Sequence, residues 1–204
     1  MQYDFGFRRL ILQLAHLAAK LEGSWPEHHS FNDTRKPVKD TDPDIVCKKL
    51  LETCLSLQLS TIGTDGFPHS GYTPYVLDPV GKEGGLEFTI FVSELSVHTR
   101  DMLQTPKVSI MIIEDEAASK QVFARTRVTY NCDVQQIERD HADYAQVLDR
   151  FQARQGNTVS LLRELPDFHL MRLRPFSGQF VMGFGQAFSL SGPSMDVFEH
   201  SRRA

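Results

Sequence analysis

"VSIMIIEDEAASKQVFARTRVTY", residues 108–130, decides how this chain folds. It opens as an apolar strand, Val108 to Ile113, and is cut by Glu114-Asp115-Glu116. It returns as a second β-rich run carrying Arg125 and Arg127. Side chains alternate between the two faces of a strand, so residues two apart share a face. Both arginines are therefore expected on one face, in a chain whose 26 acids outnumber its 22 bases.

The same grammar continues on either side. Upstream, "LSLQLSTIG" alternates leucine with polar residues, as a half-buried strand does. "TDG" is a tight turn in which Gly66 can take positive φ. "FPHSGYTPYVLD" returns, with Pro68 and Pro74 placing it near an edge or bulge. After the turn "PVGKEGG" come a strand, "LEFTIFVS", and a short helix, "LSVHTRDMLQT", that stops at Pro106. Before them all, "DIVCKKLLETC" has helical spacing, with Asp44 near its start to complement the helix dipole. Downstream, "VQQIERDHADYAQVLDRFQARQG" and "VSLLREL" read as helices, and "FHLMRLRP" and "GQFVMGFGQAFSLSG" close the chain. Six or more strands joined mostly by hairpin turns predict a small antiparallel barrel decorated with helices.

Residues 7–22 place Phe7, Leu10, Ile11, Leu14, Leu17 and Leu21 at helical spacing, and a Pro- and Asp-rich linker follows. The expected organisation is an N-terminal helix and linker over 1–43, a barrel domain over 44–192 and a tail over 193–204. The apolar run is too short and too polar to span a bilayer. A net charge of −4 gives no support to nucleic-acid binding or a general attraction to anionic membranes, so any anionic ligand must meet a local basic cluster. Three cysteines without a CxxC pair read as small buried hydrophobes in a reducing compartment, and the expected location is cytoplasmic.

"LQLSTIGTDGFPHSGYTPYVLD" resembles the first hairpin of the pyridoxamine-phosphate-oxidase-like split barrels. "SIMIIEDEAASKQVFARTRVTY", "LPDFHLMRLRP" and "GQFVMGFGQAFSLSG" resemble their HugZ/HutZ haem-utilisation branch, and with "SELSVHTRDMLQTPKVS" the likeness covers roughly residues 45–200. The resemblance implies a mainly β fold, a homodimeric six-stranded split β-barrel, with haem near the subunit interface. It further implies oxygen-dependent opening of the porphyrin ring, iron release and an external electron donor. A flavoprotein using FMN and a non-enzymatic haem carrier are the alternatives, because one fold hosts many functions.

Arg125 and Arg127 suit propionates or an FMN phosphate, since a planar guanidinium pairs bidentately with such anions. Pairing with Glu114, Asp115 and Glu116 is the competing use. His98 and Arg100 fall where split barrels place the ligand-facing helix and its preceding turn. Asp167, in "LPDFHL", matches the branch's aspartate that orients the axial histidine. His200 is the iron-ligand candidate in the tail. Aligned without gaps, it matches an earlier tail histidine, and the branch's ligand position falls beyond Ala204. His69 and His169 read as satisfied strand histidines. Gly183 and Gly185 flank Phe184, in what reads as a strand that could lie against a flat ligand or a partner's strand.

Overall fold

The computed structural model describes residues 42–78, 84–119 and 121–201. The 7–22 segment, the linker histidines and most of the 79–85 turn lie outside them. Asp40–Ala204 cluster as one compact unit. Helix α1 spans Pro43–Thr53. Its N-cap is Asp42, whose carboxylate accepts the Asp44 N–H at 3.0 Å, with Pro43 pre-set in the first turn.

Along the chain follow β1 (Ser56–Ile62), β2 (Pro68–Leu77), β3 (Phe88–Ser93), α2 (Val97–Gln104), β4 (Lys107–Ile113), β5 (Arg127–Ile137), α3 (Tyr144–Gln155) and α4 (Thr158–Leu162). Strands β6 (Phe168–Gly183), β7 (Gln186–Ser191) and β8 (Val197–His200) complete it. The sheet runs β3-β2-β1-β4-β5-β6-β7-β8, and β3 pairs with β6 as well, so the first six strands in that order close into a barrel. Every pairing is antiparallel.

The closure is uneven. β3 pairs with β6 from Phe88↔Leu173 to Ser93↔Phe168, along its whole length. It pairs with β2 only from Tyr75↔Ile90 to Leu77↔Phe88, and beyond that the two strands part. Pro68 and Pro74 lie in the stretch of β2 that has only β1 beside it, where a missing N–H is tolerated.

Two cores result. Inside the barrel, Leu57, Leu59, Tyr75, Phe88, Ile90, Ile110, Val128, Tyr130 and Phe180 pack together, and α1 adds Cys47 and Leu50. Cys47 Sγ lies 3.7 Å from the buried Tyr130 hydroxyl. Outside, α3 and α4 cover Val76, Phe91, Ile137 and Leu170 with Val147, Leu148, Phe151 and Val159. Arg154 of α3 donates to the carbonyls of Glu52 and Cys54, satisfying the C-terminal end of α1.

Several sequence expectations need correction. Residues 134–137 do not begin a helix: they extend β5, because β6 continues alongside and the ladder outweighs a polar stretch's helix propensity. The helix starts only at Tyr144. "FHLMRLRP" and "GQFVMG" are one 16-residue strand. It passes through Pro175 because the register slips there, between Asn131 and Cys132 of β5. Gly183 and Gly185 are not inside a strand: Gly183 ends β6, and Gly185, at φ +70°, turns the hairpin into β7. The 193–204 tail is also not all solvated chain, since residues 197–200 form β8 on the edge of the sheet. The "TDG" turn forms as read, with Gly66 at φ +80°. No helix among the described residues is long and apolar enough to cross a membrane.

Candidate functional site

The six sequence candidates fall into two groups. The first surrounds the turn between β3 and α2. Ser93 Oγ donates to Asp167 Oδ2 at 2.5 Å, and the Glu94 N–H donates to the Asp167 carbonyl at 2.9 Å. Arg100 reaches back from α2 to donate to the carbonyls of Glu94 and Leu95, at 2.6 and 3.1 Å. Its guanidinium thus ties the turn, although the side chain remains exposed. His98 sits half-buried with its Nδ1 edge against Gly71, where an added Cβ would lie 2.7 Å from it. Burial holds its pKa below the usual imidazole range, partly opposed by the charge of Asp101, so the ring favours its neutral form.

Where β2 and β3 part, a groove of about 320 Å³ opens, walled by Tyr72, Pro74, Phe91, Phe151 and Phe168 and carrying His98. Ser93, Ser96 and Gln155 line it as well, and aromatic walls with polar groups set among them can orient a small molecule. Sequence reasoning missed the groove, because it depends on how far two strands remain paired.

The second group lies where β5 and β7 begin and β6 and β8 end. Arg125 and Arg127 do not share a strand face, because β5 begins at Arg127. Arg125 instead closes a 3-10 turn, Val122–Ala124. Its Nε donates to the Glu114 carbonyl at 2.9 Å, Nη2 donates to the same oxygen, and Nη1 pairs with Glu116 at 2.9 Å. The acidic turn has therefore claimed this guanidinium. Arg127 donates from Nη1 to the Arg125 carbonyl at 3.1 Å and pairs with no carboxylate among the described residues. His200 ends β8 opposite Phe188, which is opposite Phe180. Its ring lies exposed at 5.0 Å from that of Phe188.

One subunit does not bring His200 to Asp167. Asp167 precedes β6, whereas His200 aligns with Phe180, thirteen residues later along that strand. That is roughly 40 Å of strand path. Two further histidines among the described residues are held by the protein. His69 Nδ1 meets Asp101 Oδ2 at 2.8 Å, and Thr61 donates to the same oxygen at 2.6 Å. His169 is engaged at both ring nitrogens, by Glu94 at 2.5 Å and Gln136 at 3.3 Å. No group of three metal-ligating side chains occurs among the described residues.

Between the two groups runs a bare face of the sheet. The register aligns Ser70, Ser60, Ser109, Asn131 and Ser177 in one row. The next row holds Tyr72, Gln58, Met111, Thr129, Gln179 and Ser189. Neither row contains a charge from β2 to β7, although Glu199 of β8 continues the second one, and Tyr72 is 70% exposed.

The family model described as pyridoxamine 5'-phosphate oxidase matches residues 44–182. Heme oxygenase HutZ of Vibrio cholerae is 37% identical over 159 residues, 78% of this chain and 86% of HutZ. A non-canonical chloroplastic heme oxygenase of Arabidopsis thaliana is 27% identical over 128 residues, covering 63% of this chain and 36% of that protein. The crystal structure of HutZ, described as a heme storage protein, superposes with a TM-score of 0.62 at 33% identity, over 70% of this chain and 96% of that one. Campylobacter jejuni ChuZ shares the fold at 23% identity, with a TM-score of 0.68 over 98% of this chain and 72% of ChuZ. With the closed six-stranded barrel and the matched span, this chain belongs to the pyridoxamine 5'-phosphate oxidase family, alongside HutZ.

Proposed function

We propose that the chain is a haem-binding homodimer that opens the porphyrin ring with oxygen, using an external electron donor, and releases the iron. One observation carries this reading: each chain bears two half-sites that its own barrel keeps apart. The groove end offers Asp167, His98 and Arg100. The opposite end offers Arg127 and His200. A second copy, packed through the uncharged face between them, joins unlike halves twice over by two-fold symmetry. A face that lacks charge and carries an exposed tyrosine suits burial against its own copy.

The residues present fit the group. A neutral imidazole is the usual haem-iron ligand, and His200 presents one at the surface. Arg127 brings a guanidinium with no carboxylate partner among the described residues, the donor set a propionate requires. Asp167 retains Oδ1 beside the Oδ2 that Ser93 occupies, and that oxygen could orient the imidazole of a second copy and raise its basicity. Haem, when bound, supplies the oxygen chemistry and is itself the substrate consumed. Arg125 and Arg100 do not contact the ligand in this reading: both spend their donors on carbonyls that shape the turns around it. Three free cysteines are in keeping with a reducing, cytoplasmic setting.

Hemin titration followed by the Soret band, with FMN in parallel, tests the ligand, and ascorbate under air then separates oxygenase from carrier. Saturation at one haem per chain followed by loss of the band supports the proposal. Tight FMN binding with only nonspecific hemin uptake would replace it with a flavoprotein. Stable haem that no reductant consumes would make the chain a carrier, a reading favoured by the description of the HutZ structure as a storage protein. Mixed dimers test the shared site. Asp167→Asn and His200→Ala chains, each inactive alone, should regain part of the turnover when refolded together, because one site per hybrid dimer is intact.

A further inference from the structure

Two phenylalanines remain unexplained by the fold. Phe123, on the 3-10 turn Val122–Ala124, is 84% exposed, and Phe184, at the tip of the β6–β7 hairpin, is 72% exposed. Val122 beside the first is 62% exposed. Solvated phenyl rings contribute nothing to the barrel, and hairpin tips are ordinarily built from polar residues and glycine. The turn residues themselves are present: Gly185 supplies the positive φ, so Phe184 is not needed for the bend.

Both rings are carried by segments that adjoin β6. The Val122–Ala124 turn packs against β6, and Phe184 is the residue directly after that strand. Arg127 pairs in register with Val181, two residues before β6 ends, and His200 lies opposite Phe188 just beyond the hairpin. Arg125 holds the turn from behind through the Glu114 carbonyl and Glu116, so the aromatic segment is fixed rather than loose. Exposed flat apolar surface beside a guanidinium lacking a carboxylate partner is complementary to a flat apolar ring edged with carboxylates.

We propose that Phe123 and Phe184 are ligand-contacting residues that form the apolar wall for the porphyrin plane, with Arg127 beside them taking a propionate. The assignment rests on the haem reading and adds the residues that recognise the ring itself, independent of iron. Its occupant is a tetrapyrrole, because a charged group flanks the patch and a purely apolar partner would leave that cation unsatisfied.

The test uses the full chain and two probes, hemin and metal-free protoporphyrin IX, with wild type, Phe123→Ala and Phe184→Ala. Both side chains are exposed, so folding is expected to survive, which circular dichroism checks. Phe184→Trp keeps a flat ring as an internal control. Each alanine variant should lose affinity on the order of tenfold for both porphyrins. The tryptophan variant should stay near wild type, and sedimentation should show unchanged assembly. Wild-type affinities in the alanine variants would overturn the assignment and leave the haem reading standing. A loss confined to hemin would overturn it also, by locating the effect at the iron. Monomers in place of dimers would make the patch a subunit contact instead. A wild-type chain that takes neither porphyrin would sink both readings.

Discussion

Arg125 and Arg127 are alike in type and two residues apart, yet the backbone gives them separate duties. Arg125 spends its donors on Glu114 and Glu116, and Arg127 has no carboxylate among the described residues. Arg127→Ala should therefore weaken hemin binding roughly tenfold with little change in melting temperature. Arg125→Ala should cost about 1–2 kcal/mol in denaturant unfolding, mostly from the hydrogen bonds to the Glu114 carbonyl. The exposed Glu116 adds little, since an ion pair with one solvated partner is screened. A second residue-scale prediction concerns acid. His98 has a folded pKa below its free value, because burial disfavours the charged ring. The neutral ring's contribution to stability is fully present above pH 6.5 and is lost as pH falls through the lower folded value. Asp101, one turn along α2 and bonded to His69 and Thr61, acts in the same direction. Burial opposes its ionisation, but those hydrogen bonds and the charges of His69 and Arg100 hold its pKa below the usual carboxylate range. Its contribution is lost only at lower pH still. Replacing His98 with Gln should flatten the stability curve in the range just below pH 6.5, while the more acidic fall remains. An unchanged slope in urea titrations across that range would reject the assignment.

Single elements show what could be read from local pattern and what could not. The alternation in "LSLQLSTIG", the "TDG" turn and the stop at Pro106 each match the structure, because each is governed by neighbours in sequence. The extension of β5 through Ile137 and the fusion of two stretches into β6 were not legible, because distant strand pairing set them. Strand β8 was not legible for the same reason: a terminal segment gains β structure only from the β7 edge beside it. The candidate residues were legible as chemistry, whereas the separation of Asp167 from His200 depended on barrel closure. Gly178 tests packing at this scale. A Cβ there would fall 2.7 Å from the Tyr130 ring and 3.1 Å from the Thr129 carbonyl. Tyr130 is fully buried and cannot swing aside, so Gly178→Ala should destabilise by about 1–3 kcal/mol, measurable by chemical denaturation.

At the scale of the molecule, the proposed dimer would bury the uncharged rows across β2, β1, β4, β5 and β6 and so tie assembly to ligand binding. An arginine introduced near a two-fold axis meets its own copy, and like charges repel across a buried face. If the proposed dimer forms through this face, Ser60→Arg, on an exposed row, should give a folded monomer by analytical ultracentrifugation. It should abolish saturable hemin uptake in the same sample, because the proposed site needs a half from each chain. A monomer that still takes up one haem would disprove the shared site.

The uneven closure of the barrel also bears on its birth at the ribosome. β3 has three partners on β2, its neighbour in sequence, and its full length of partners on β6, some eighty residues later. Until Phe168–Leu173 have emerged, all of β3 has one open edge and its second half has no strand partner at all. The ring cannot shut during most of translation, so its long-range pairing comes late and slowly. A nascent chain stalled before residue 168 would present that open edge to its neighbours, and chaperones that shield strand edges should be needed most in that interval.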